Sequence, residues 1–207
     1  MSIDKRQDKQ KISAGAKPAF TLLEMVVSIS IIAMISALFI ANYRSASKRT
    51  DLIMTAQNLV ADIHLAQNNT LGLVKYNGSV PAGGWGINFN KANNTYTIFA
   101  DLDAPVTPTV PSPGYMQYDP STEGNTSYGA RVMSLSDGLE ILDLKLANGT
   151  SQAQVNVTFL PPDPQTNIYQ PISAATSTSL EVTLREARND STKKVFINFL
   201  GLAEAQD

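Results

Sequence analysis

The sequence predicts an α+β chain: a long N-terminal helix, transmembrane in its first half and amphipathic in its second, packed against an antiparallel β-sheet domain. Three observations carry this expectation. Residues 20–40 hold 16 apolar side chains among 21, and Glu24 is the one charge. From Phe20 to Leu71 there is no Gly and no Pro, so nothing in that stretch breaks a helix. Beyond Gly72, runs rich in β-branched and aromatic residues alternate with turn residues, the pattern of short strands.

The first 19 residues are polar and carry Lys5, Arg6, Lys9, Lys11 and Lys17. A secretory signal is cut after its apolar region, and that region is shorter than this one. Five cations before the apolar run oppose Arg44, Lys48 and Arg49 after it. The positive-inside tendency then keeps the N-terminus cytoplasmic and the C-terminal domain extracytoplasmic, in a single-pass protein. An uncleaved signal anchor is the plainer alternative, which hydropathy permits but which leaves Glu24 unexplained.

At about 1.5 Å per residue, residues 20–40 reach roughly 31 Å, the thickness of a bilayer core. An ionisable group inside such a span costs about 2.5 kcal/mol or more unless something pairs with it. The span itself contains no cation. Glu24 therefore calls for a partner from outside its own helix.

Past the apolar run the pattern turns one-sided. Leu52, Ala56, Leu59, Ile63 and Ala66 recur at spacings of four and three, with Ile53 and Val60 beside them. Asp51, Gln57, Asn58, Asp62 and Gln67 fall elsewhere around the helix, so its second half, residues 43–72, should bury one stripe. Gly72 is expected as the left-handed residue that ends it. His64 has no second His or Cys near it and is read as structural, without a metal role.

Strands are expected at 85–89, 95–100, 130–135, 139–146, 154–160, 179–185 and 194–200. In one of them Leu180, Val182 and Leu184 alternate with Glu181, Thr183 and Arg185, the period of a half-buried strand. Turn chemistry separates them at Asn90–Asn94, Ser136-Asp137-Gly138, Asn148-Gly149 and Asn189-Asp190-Ser191. Two proline-rich stretches, 104–125 and 161–172, read as long surface loops, because proline cannot donate to an interior ladder. Trp85, between Gly84 and Gly86, is expected in the core.

With 207 residues and a net charge of −2, nothing in the composition demands a nucleic-acid partner. The chain has no cysteine, so it has neither a disulfide framework nor thiolate chemistry. No Gly-x-Ser-x-Gly elbow and no phosphate-cradling glycine loop occurs, and an enzymatic role and a cofactor are not expected. Asp101 and Asp103, with Asp119 and Glu123 in the following loop, are candidate oxygen ligands for calcium. The plainer reading is a strand end entering a loop, where Asp is favoured for its local hydrogen bonds.

Phe20-Thr21-Leu22-Leu23-Glu24, behind a basic leader and ahead of an apolar helix, resembles the class III signal of type IV pilins and pseudopilins. The resemblance covers residues 15–45. It implies cleavage of the 1–19 leader between Ala19 and Phe20 by a prepilin peptidase, followed by N-methylation of Phe20. It also implies that Glu24 meets the amine of a neighbouring subunit during assembly. The family usually has Gly where this chain has Ala19. Within the β region, residues 73–207, Trp85-Gly-Ile-Asn-Phe, Tyr96-Thr-Ile-Phe-Ala-Asp-Leu-Asp103 and Val195-Phe-Ile-Asn-Phe-Leu-Gly201 resemble H-type minor pseudopilins and T-type fimbrial minor pilins. The implied partners are other pilin or pseudopilin subunits, the peptidase/methyltransferase, an inner-membrane assembly platform and membrane lipid. The implied destination is a type IV pilus or a type II secretion pseudopilus. A pilus-displayed binding module for DNA uptake or surface adhesion is the alternative. Glu204 stands where arginines follow the glycine in relatives implicated in DNA uptake.

Overall fold

A computed structural model describes residues 21–103, 105–107, 110–111, 114–160, 165–172 and 174–206, with the backbone alone at 41, 42, 44, 45, 105–107, 110 and 111. The chain is α+β. Helix α1 (Leu22–Leu71) comes first, followed by β1 (Gly84–Asn90), β2 (Thr95–Asp101), β3 (Pro105–Thr107), β4 (Val110–Pro111) and β5 (Arg131–Ser134). Then come β6 (Leu139–Leu146), β7 (Gln154–Leu160), β8 (Gln165–Gln170), β9 (Ala175–Ser177), β10 (Ser179–Glu186), β11 (Ser191–Asn198) and β12 (Ala203–Gln206). Two compact units result, Met1–Tyr43 and Arg44–Asp207.

In the first unit, Leu22–Ile40 forms a 19-residue helical segment of mean hydropathy 2.4, none of it buried within the chain. By length and composition it is the one helix among the described residues able to cross a membrane. Two of its three serines are satisfied within the helix: Ser28 Oγ donates to the Glu24 carbonyl and Ser30 Oγ to the Val26 carbonyl, both at 2.8 Å. Back-bonding of this kind leaves a hydroxyl with no need of water.

In the second unit, Leu52, Ala56, Leu59, Ile63 and Ala66 are each at most 1 % exposed. They share one core with Trp85, Ile87, Phe89, Val155, Val157 and Phe159, and with Leu180, Val182, Leu184, Val195 and Ile197. The first set belongs to a six-stranded sheet, β5-β2-β1-β7-β8-β9, and the second to a four-stranded sheet, β12-β11-β10-β6. Every pairing between neighbours in these sheets is antiparallel. Burying each large aliphatic side chain of the stripe contributes about 1.5–3 kcal/mol, so the stripe is the main apolar contribution of α1 to this unit.

Polar side chains fix the register of α1 on the six-stranded sheet. The Thr70 hydroxyl donates to the Phe159 carbonyl and accepts from the Trp85 backbone N–H, both at 3.0 Å. It thereby takes the place of a rung between β1 and β7, where Trp85 lies opposite Phe159. Trp85 Nε1 donates to the Val74 carbonyl at 2.9 Å, and the Tyr96 hydroxyl donates to Asp62 at 2.8 Å.

The structure corrects several sequence expectations. Helix α1 ends in a left-handed residue, but that residue is Leu73 (φ 49°), not Gly72. The Val74 N–H reaches the Asn69 carbonyl and the Leu73 N–H reaches the Thr70 carbonyl, a Schellman closure set one residue later than expected. Residues 161–172 are not simply a loop. They contain β8, which pairs with β7 and buries Ile168 to 1 %. Residues 104–125 include the β3–β4 pairing, and Tyr115 and Glu123 are buried at 7 % and 0 %. β11 starts at Ser191 rather than Lys194, and β12 follows the Gly201 turn (φ 83°) as a further strand.

Burial on the six-stranded sheet does not alternate. Asn88, Thr97, Phe99, Asp101, Asn156 and Thr158 point away from the main core yet are at most 4 % exposed. The segment after β2 lies over this face, with the Tyr118 ring packed at a tilt of 53° against Phe99, centroids 5.2 Å apart.

Candidate functional site

The N-terminal end of α1 is built from Thr21 and Glu24. The Thr21 hydroxyl accepts the Glu24 backbone N–H at 3.2 Å, and the Thr21 carbonyl accepts the Met25 N–H at the same distance. Thr21 is thus the N-cap of the helix, satisfying a donor that has no partner within it. The sequence spells this signal as Thr-x-x-Glu, a structural role for Thr21 that the reading of the apolar run missed. Among the described residues nothing bonds or pairs with the Glu24 carboxylate, and Leu22, Leu23, Met25 and Val26 around it are 53–83 % exposed. An anion on a wholly apolar helical surface needs a cation or water supplied from elsewhere. Ala19 and Phe20 lie outside the described residues.

Of the four candidate calcium ligands, the fold brings three together. One oxygen each of Asp101, Asp103 and Glu123 lies within 4.8 Å of the others, and Asp101 and Glu123 are both 0 % exposed. Asp119 stays apart. Its carboxylate accepts the Ser121 N–H at 2.8 Å and the Ser121 hydroxyl at 2.6 Å, which lowers its pKa.

Each oxygen of the two buried carboxyls holds a backbone N–H. Asp101 Oδ1 accepts from Asp103 at 3.0 Å and Oδ2 from Met116 at 2.7 Å. Glu123 Oε1 accepts from Leu102 and Oε2 from Asp119, both at 2.9 Å. The pair therefore clasps segment 114–123 to the end of β2. Gly83 and Gly114 (φ 100°) pack so closely on Asp101 and Asp103 that neither position has room for a Cβ. Chemically, such a cluster must be offset by protons or by a bound cation.

Burial pushes Asp101 up to about 8 and Glu123 up to about 7. The backbone donors oppose the shift, and the neighbouring carboxylates add to it. Unfolded, the two groups titrate near 3.8 and 4.5. The folded form therefore holds more protons than the unfolded form between about pH 4 and pH 8, and its stability falls as pH rises through that window. The thermal midpoint should drop between about pH 5 and pH 8, and the drop should be smaller in Asp101→Asn. A midpoint that rises over this range, in buffers free of divalent cations, contradicts the assignment.

His64 sits on an exposed part of α1, its Nδ1 2.8 Å from Gln67 Oε1, while Gln67 Nε2 donates to the Gly201 carbonyl at 2.5 Å. Trp85 is in the core at 2 % exposure. No family model matches the chain, and searches of the curated proteins and of the solved structures found no match either.

Proposed function

We propose that the chain is a pilin-like structural subunit, a minor pilin or pseudopilin that assembles through α1 into a type IV pilus or a type II secretion pseudopilus. In this reading the first half of α1 sits in the inner membrane and then in the filament, and the second half carries the sheet domain outside the cytoplasm. The carrying observation is the segment Leu22–Ile40: apolar, uncovered by the rest of the chain, and bearing a single carboxylate four residues after Phe20. Lipid can cover the apolar surface, but the carboxylate needs a cation at the same depth. A neighbouring copy's methylated α-amine would supply one, because a helix rises about 6 Å over four residues and an axial step of that order aligns the two.

The reading requires the leader to be removed. Mass spectrometry of the membrane-extracted protein, from cells that contain a prepilin peptidase, should find N-methylated Phe20 as the first residue. An intact leader in such cells overturns the proposal. The same peptidase and an inner-membrane assembly platform are its expected partners, along with the other subunits.

A further inference from the structure

The edge of a sheet leaves a row of backbone groups unpaired, and proteins blunt such rows with charge, short strands or a covering loop. Three of the four edges of the two large sheets are treated in this way. β9 is three residues long. The free side of β6 is met by its surroundings: the Leu144 carbonyl accepts the Gln152 N–H, the Leu146 N–H reaches the Thr150 carbonyl, and the Ile141 N–H reaches Asn94 Oδ1. On β12 the first residue, Ala203, is only 5 % exposed, and the next is the exposed acid Glu204. β5 is the exception.

β5 pairs with β2 in unbroken register, from Thr95 opposite Ser134 to Ile98 opposite Arg131. The Leu135 N–H reaches the Asn94 carbonyl at 3.1 Å and extends this ladder by one rung. Hydrogen-bonded and non-hydrogen-bonded pairs alternate along an antiparallel ladder, so Met133 and Arg131 also bond to β2. The N–H and C=O groups of Val132 and Ser134 therefore point the other way, where β5 has no neighbouring strand. Val132 is 54 % exposed, and Ser134 is exposed too. Two N–H and two C=O groups open along one edge are matched together by another extended chain.

Side chains narrow the chemistry of that chain. Met133 packs on the core, and Arg131, on the same face, leans its guanidinium on Met133 Sδ at 3.9 Å. Arg131 is exposed and makes no ion pair among the described residues. An inward-facing charge on an edge bars partners that cannot answer it. A second copy is barred in this way: the antiparallel register that joins Val132 of one copy to Ser134 of the other sets Arg131 against Leu135. We infer that β5 is a strand-addition site for an extended segment of another polypeptide, paired antiparallel, with Asp or Glu opposite Arg131 and an apolar residue opposite Met133. Cross-strand pairs of opposite charge and of apolar side chains both favour this order. The site lies wholly in the second unit and does not depend on the membrane placement proposed above.

The test uses the full chain in detergent micelles and two end-capped peptides, Thr-Thr-Leu-Thr-Glu-Thr-Thr and Thr-Thr-Leu-Thr-Lys-Thr-Thr. Backbone amide exchange is read at Val132 and Ser134, with peptide added until the effect levels off. The glutamate peptide should slow both amides roughly two- to tenfold, the range expected of one hydrogen bond of ordinary net strength. The lysine peptide should leave them unchanged. Arg131→Glu, a change at an exposed side chain, should reverse the preference, which a merely structural role for Arg131 would not do. No slowing with either peptide, or equal slowing with both, overturns the inference. Slowing that follows the concentration of the chain itself, without peptide, would show that a second copy fills the edge and overturn the assignment to another polypeptide.

Discussion

Glu24→Ala is expected to lose its leader and stay in the membrane but to reach the filament at on the order of one-tenth of the normal amount. Removing one member of a buried ion pair strands the other, typically at a cost of about 3–5 kcal/mol. Close to the membrane edge, water relieves part of that, and a tenfold effect corresponds to about 1.4 kcal/mol. Glu24→Asp should fall between, because it keeps the charge but shortens its reach. The assay compares the subunit's amount in sheared filaments with its amount in membranes. Because Thr21 still caps the Glu24 backbone N–H through its hydroxyl, alanine leaves the start of the helix intact and the result reports on the carboxylate. Unchanged incorporation of Glu24→Ala would show that the charge does not set assembly.

Thr70→Val should be the most damaging near-isosteric change in the second unit. Valine keeps the shape but removes the hydroxyl that bridges the Trp85 N–H and the Phe159 carbonyl. Thr70 is 2 % exposed, so water cannot replace it. Two buried backbone groups left unpaired cost about 1–3 kcal/mol each, a total of roughly 2–6 kcal/mol. Thr70→Ser, which restores the hydroxyl and loses only a methyl, should recover most of it. Denaturant unfolding followed by Trp85 fluorescence measures both. A valine variant within about 0.5 kcal/mol of the unaltered protein would mean that the bridge carries no net stability.

The helix and most strands were legible because their burial is one-sided. Leu52 through Ala66 show the spacing of a single stripe, and strands β6 and β7 begin and end at the residues expected from their patterns. β8 was not legible. It is short, follows Pro161, Pro162 and Pro164, and its inward residues are Thr166 and Ile168, a polar–apolar pair that gives little hydrophobic alternation. The outer face of the six-stranded sheet was hidden for the opposite reason: a covering segment whose prolines suggested exposure makes both faces buried. The Asp101–Asp103–Glu123 cluster was half visible. Asp101 and Asp103 stand two apart at a strand end, but the contribution of Glu123 depends on segment 114–123 folding back, and Asp119 turns to its own Ser121 instead. Leu73 as the left-handed residue of α1 had no local signal at all beside the adjacent Gly72.

On the proposed reading, Leu22–Ile40 ends its working life inside a filament. Quantitative mass spectrometry of filaments, or of crosslinked pseudopilus complexes, purified from cells making the unaltered chain tests this most directly. The expected result is peptides from the 44–207 unit co-purifying with the major subunit, together with an N-terminal peptide that begins at methylated Phe20. A chain that stays wholly in the membrane fraction with residues 1–19 attached, in cells whose filaments assemble normally, would contradict it.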